Sequence, residues 1–399
     1  VFFLAFVVSE FTRFEPSAGS FITYVETSLG EHAGAVTALL VAVGFTVAIA
    51  GVFTMSGGMI ALTIENYTSW HPSFLPISLV MSAGAIWLAL RGASLSTAVI
   101  GVVIVIQLAV MFSVCGYVLA EQGGHLSGSP FAVSHLRNGF AGLSAGFPLA
   151  LFMLIGWENG AALAEETRDP RRTIPRALYL ALAIATSLFV LFAYTTITGF
   201  HYRTSSIGRS SIPFLEMSDR YLGTVAIVAW LAGIASVLST LVAAVNSQAR
   251  VIFDGGRSGL LPKRLGKSRP PGQTPVTATY AMSALGLGIV VTWWLCHETG
   301  LVSGKTDPVT LYAEASTMGT MLILFVYVLT AVSLPVFVLR RHRKDFSPLR
   351  HVLAPLLGTV ALALPFGVLF KPGQPVPYSV FPYAAVTLVL AAIVYARYI

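Results

Sequence analysis

The sequence predicts an all-α integral membrane protein, a polytopic helical bundle with ten full spans and a partial one at its N-terminal end. Three observations predict it. Of the 399 residues, 55% are hydrophobic and 10% are charged, where a soluble globular chain carries about 25% charged residues. The mean hydropathy is +0.78, so a polar surface for a water-soluble body of this size cannot be assembled. That excludes a cytosolic enzyme and a disordered chain. Finally, the apolar residues come in continuous runs of 17 to 30, the length of a membrane-crossing helix. Barrel strands would be about 10 residues long and would alternate, and in hydrocarbon only helices and closed barrels satisfy their own backbone.

The elements follow in order. Residues 1–12 are apolar from Val1 onward, too short to span and without the basic flank of a signal peptide. They read as a helix already under way. Full spans are then expected near 34–63, 74–90, 94–120, 140–164, 174–199, 221–247, 276–296, 311–339, 351–370 and 379–396. The chain is one membrane domain, 1–399, without a soluble appendage. Its longest basic connection, from about Gln248 to Pro275, reads as a loop with short helical pieces because of its Pro, Gly and Arg content. The Gly- and Ser-rich loops 121–139 and 200–220 on the opposite side are candidates for short interfacial helices.

Charge gives the orientation. With these spans, 18 of the 24 lysines and arginines fall in loops on one side and 6 on the other. The positive-inside rule makes the basic side cytoplasmic and the protein a multi-pass plasma (inner) membrane protein. The net charge of +7 is then a topology signal, and a nucleic-acid partner is not expected. The partners expected are a small substrate and the lipid bilayer. Cys115 and Cys296 both sit in apolar runs, which gives no disulfide framework and no zinc quartet. No histidine pair has metal-ligand spacing, so no metal or cofactor is expected.

The stretch from Phe147 to Arg176 carries the chemistry. Gly156-Trp157-Glu158-Asn159-Gly160 interrupts an apolar run with an acid, an amide and two glycines. An ionisable residue inside a membrane is expensive and needs a partner or a cavity, and glycine on both sides weakens the helix. Together they predict a discontinuous helix near the bilayer middle, where freed backbone groups face a substrate. The other reading is a polar kink packed on a neighbouring helix. Glu165 to Arg172 then marks the basic exit, with Pro170 and Pro175 stopping one helix and starting the next. Its mixed charges either pair between helix ends or only set orientation.

These residues resemble the amino acid–polyamine–organocation superfamily of permeases, whose sixth helix has an F-x-G-x-E core and an A-E-E-x-x-x-P-x-x-x-I-P-R-A exit. Here they are Ile155-Gly156-Trp157-Glu158 and Ala164-Glu165-Glu166-Thr167-Arg168-Asp169-Pro170 through Ile174-Pro175-Arg176-Ala177. Three further stretches agree in the family's order. Glu10 through Pro16-Ser17-Ala18-Gly19-Ser20-Phe21-Ile22-Thr23-Tyr24-Val25 resembles the end of the second helix and the P-x-A-G-x-x-Y-x-Y element after it. Asn246 to Arg250 with Arg257 to Pro262 and Thr274-Pro275 resembles the connection from the eighth helix to the ninth. Glu314 to Thr320 resembles the tenth.

The resemblance implies a five-plus-five inverted-repeat transporter. It maps 1–12 on part of helix two, 34–339 on helices three to ten and 351–396 on helices eleven and twelve. Helix one, whose glycine-rich break holds the substrate carboxylate in the family, would then lie outside this sequence. By the same resemblance, carbonyls around Phe152 and Ile155 accept from a substrate ammonium, and the Phe152 ring gates the site. Gly156 allows close backbone approach, Trp157 lines the side-chain pocket, and Glu158 braces the break or takes part in protonation. Phe152 and Trp157 are otherwise lipid-facing or core aromatics. H+ and Na+ are the candidate coupling ions. Gln107 falls where some proton-driven members carry a lysine, and it cannot titrate. Ser239 and Thr240 supply hydroxyls suited to sodium, or bond to their own helix.

The function implied is secondary transport of an amino acid or related amine across the plasma membrane by alternating access. The alternatives are a transport-inactive amino acid sensor or truncated permease, and an intramembrane enzyme. An enzyme would need clustered Asp or His, and the intramembrane acid here is solitary.

Overall fold

The longest apolar run folds as one helix of 37 residues, Glu31–Tyr67, and the rest of the bundle packs around it. A computed structural model describes residues 1–17, 19–91, 93–135, 150–268, 274–302, 306–370 and 376–399. In chain order the helices are α1 (Phe2–Phe14), α2 (Phe21–Leu29), α3 (Glu31–Tyr67), α4 (Phe74–Leu90), α5 (Ala93–Glu121), α6 (Pro170–Gly199), α7 (Pro213–Leu222), α8 (Ile227–Arg257), α9 (Val276–Glu298), α10 (Pro308–Arg341), α11 (Ala354–Leu369) and α12 (Phe381–Ala396). A one-turn helix, Thr204–Ile207, lies between α6 and α7, and a 3-10 stretch, Trp157–Glu166, leads into α6. No strand occurs among the described residues. The expected span at 140–164 is described only from residue 150, and Ala18, Arg137, Arg269, Lys305 and Lys371 also lie outside the described residues.

Length and composition let six of the described helical segments cross a membrane: Glu31–Tyr67, Ile100–Glu121, Pro170–Gly199, Pro213–Arg257, Val276–Glu298 and Pro308–Arg341. Three shorter apolar segments, Phe74–Leu90, Leu349–Ala363 and Phe381–Ala396, accompany them. The outer helices turn large apolar side chains away from the protein, among them Val105 on α5, 69% exposed, and Leu180 on α6, 61% exposed. Such faces belong against lipid.

Small residues set the centre. In membranes, close helix contact depends on residues that let backbones approach, and α3 meets α10 in this way. A Cβ at Gly319 would stand 2.8 Å from the Ala48 Cβ and 2.9 Å from the Gly44 carbonyl oxygen. Around this seam the core is aromatic, and Phe11 of α1 stacks on Tyr24 of α2 with centroids 4.7 Å apart.

Two polar ends close the bundle. At the basic end, Glu10 of α1 accepts from Arg13 at 2.9 Å and lies 3.2 Å from His351, just before α11. Arg340 donates to the Ser28 carbonyl at 3.1 Å. At the opposite end Asp219 of α7 accepts from Asn66, Tyr67 and Trp230 at 2.9 to 3.2 Å. The loops there hold short helical turns, as expected for 121–139 and 200–220, and α7 buries Leu215, Met217 and Ser218.

One sequence-based expectation needs correction. Gln248 to Arg257 belongs to α8, not to a loop, and the helix stops only before Gly259 with φ +87°. Near the α6 entry, the ion pair among described side chains is Arg172 with Asp169 at 3.9 Å, within one turn and exposed. This pair lies within the α6 entry. The side chains of Glu165 and Glu166 lie outside the described residues.

Candidate functional site

The site grows from one interrupted helix. Residues 150–152 are helical and 153–156 form a turn, in which Leu154 N–H donates to the Leu151 carbonyl and Ile155 N–H to the Phe152 carbonyl, both at 3.0 Å. Gly156 sits at φ +107°, ψ −13°, a left-handed conformation that costs glycine little and other residues more. The chain resumes as a ten-residue 3-10 helix, Trp157–Glu166, where such runs seldom exceed four residues. The helix is thus broken within the expected stretch, with the turn beginning three residues before Gly156, and its continuation is 3-10 rather than α.

Glu158 braces this turn. It is 2% exposed, and its Oε2 accepts the Gly156 N–H at 2.9 Å. Its Oε1, the Trp157 indole N–H and the Tyr327 hydroxyl have no hydrogen-bond partner with good geometry. They occupy one neighbourhood, with the Trp157 and Tyr327 rings 6.5 Å apart. The three groups interact with one another from behind the turn.

In front of the turn lies a cavity of about 540 Å³ between α3, α5, the broken segment and α8, within the size range of small-molecule sites. Phe152, Ile155 and Gly156 line it, and the Phe152 ring meets Tyr312 of α10 edge-on at 5.7 Å. Trp157 and Glu158 do not line it; they pack behind the turn, with Trp157 9% exposed. The Phe152 carbonyl is already an acceptor for Ile155 N–H.

The ion-coupling candidates are divided. Thr240 lines the cavity, whereas Ser239 is buried and donates to the Ser236 carbonyl at 2.9 Å. Gln107 lies on α5 outside the cavity lining, with its Oε1 buried and unpartnered. Sequence reasoning missed Asn159, Asn246, Ser247, Gln248 and Arg250, all of which line the cavity. Four of these are on α8, two of them on the part read as loop, and Gln248 is 8% exposed with an unpartnered Oε1. The signal available was the spacing Thr240, Ala243, Ala244, Ser247, one small or polar face of a helix. Among the described residues, no group of His, Cys, Asp and Glu is placed to hold a metal ion.

Comparison with known proteins agrees with this architecture. The family model described as amino acid permease matches residues 1–392. The chain is 25% identical over 300 residues to the uncharacterized amino acid permease YecA of Bacillus subtilis, covering 73% of this chain and 66% of that protein. It is 23% identical over 373 residues to the branched-chain amino acid permease BcaP of the same organism, covering 86% of this chain and 72% of that protein. Cationic amino acid transporter 4 of Homo sapiens is 24% identical over 315 residues, covering 70% of this chain and 46% of that protein.

Proposed function

The chain belongs to the amino acid permease family, a transporter rather than an enzyme, and on that premise we propose secondary active transport of an amino acid across the plasma membrane by alternating access. The observation that carries the reading is the break at Leu151 to Gly156, which turns a helix end into the wall of a cavity of about 540 Å³. Irregular backbone at membrane depth is tolerated where it lines a cavity, and helix ends there supply the dipoles and carbonyls that bind polar substrates. Gly156 lets the backbone approach the substrate, Phe152 covers it, and Glu158 holds the turn from behind. The 18 basic residues that the sequence assigns to loops on one side make that side cytoplasmic.

Uptake or counterflow of radiolabelled amino acids in proteoliposomes of the full-length protein tests the proposal. Accumulation above protein-free vesicles is expected, and imposed Na+ or pH gradients in the same vesicles identify the coupling ion. A folded sample that neither takes up nor exchanges any amino acid or amine overturns transport. Binding without flux would identify a sensor instead.

A further inference from the structure

The charge and polarity of the cavity lining carry an inference about the substrate, one that rests on the transport reading above. We infer that the site selects amino acids with an uncharged, apolar side chain and rejects those with a cationic one. The family relatives do not decide this, because some are named for branched-chain and others for cationic amino acids.

Much of the wall is apolar: Phe45 and Val52 on α3, and Phe152 and Ile155 on the broken segment. No Asp or Glu lines the cavity among the described residues. Its charged lining residue is Arg250, a cation that already has an interaction partner of its own. The nearby acid, Glu158, is 2% exposed and turned to the Gly156 N–H behind the wall. A side-chain ammonium or guanidinium entering here loses its water and gains no counter-charge, and a buried unpaired charge is strongly disfavoured. A branched or aromatic side chain instead exchanges water for apolar contact. The unpartnered Gln248 Oε1 and the turn carbonyls remain to accept the α-ammonium, which every amino acid carries and which therefore does not discriminate.

The test is competition against whichever amino acid the full-length protein takes up in proteoliposomes. Leucine, isoleucine, valine, methionine and phenylalanine are expected to compete. Lysine, arginine and putrescine are expected to compete at least about ten-fold less well. Equal competition by lysine overturns the selectivity and leaves transport standing, whereas no uptake of any amino acid overturns transport itself. An acid placed on the wall gives a second readout. Val52→Asp, or Ala244→Asp should the first not fold, is expected to gain competition by lysine. A folded variant with an unchanged lysine-to-leucine ratio overturns the assignment of selectivity to this wall.

Discussion

Gly156 separates backbone strain from lack of space. A Cβ there would meet only the Asn159 side chain, at 3.6 Å, yet φ is +107°. Gly156→Ala therefore fits but must hold a left-handed conformation, at about 1–2 kcal/mol. Transport is expected to fall about ten-fold or more while the protein still purifies folded. Gly84→Ala on α4 is the control, because its φ is not left-handed, a Cβ there would meet nothing within 4 Å and it does not line the cavity. Equal transport losses in both would remove the turn conformation from the mechanism. Glu158→Gln keeps an oxygen for the Gly156 N–H and removes the charge. It is expected to lower transport more than expression, and wild-type uptake at every pH in this variant would show that the carboxylate only holds the turn.

At the scale of elements, α1 is tied to α11 through one histidine. Ser347 N–H donates to His351 Nδ1 at 3.0 Å, so Nε2 carries the proton toward Glu10 at 3.2 Å. Both side chains are almost fully buried. His351→Leu leaves the amide and the carboxylate oxygen unsatisfied and is expected to cost roughly 2–4 kcal/mol, read as a lower thermal midpoint in detergent. In the Glu10→Gln background the loss should shrink, and an unchanged loss would show that the pair is not coupled. On α2, burial and then the carboxylates of Glu31, Asp254 and Glu15 hold Glu26 above the ordinary carboxylate range. The folded state therefore keeps a proton that the unfolded chain has released, and stability falls as pH rises through that window. Glu26→Gln should raise the midpoint at pH 7 and match the wild type below about pH 4.

Most of these elements were legible in the sequence because lipid selects continuous apolar runs. Thus α4 coincides with its expected span, 74–90, and α9 begins at the expected residue 276. The last turns of α8 were not legible, because they leave the lipid. There only one face is buried, through Ala249, Val251, Ile252, Gly255 and Gly256, while arginines occupy the other. A run criterion loses such a helix where an amphipathic one keeps it. The break at Gly156 was legible from its glycines and its buried acid. The cavity was not, because it depends on which face of α8 meets the turn, and that is set by packing at long range.

For the whole molecule, the proposed orientation is the property to test. The ends of α1, α8, α10 and α12 and the starts of α6 and α11 carry the arginines and meet at one end of the bundle. Asp219 and its partners occupy the other end. Charged residues cross a membrane at several kcal/mol each by insertion scales, so the 18 of 24 basic residues that the sequence assigns to loops on one side predict one favoured insertion. Single cysteines test it, in a background where Cys296, only half-buried near the sparse end, is replaced by serine. A cysteine at Ser69, exposed beyond α3, is expected to react with a membrane-impermeant maleimide in intact cells. One at Lys344, exposed after α10, should react only after permeabilisation. The reverse pattern overturns the orientation.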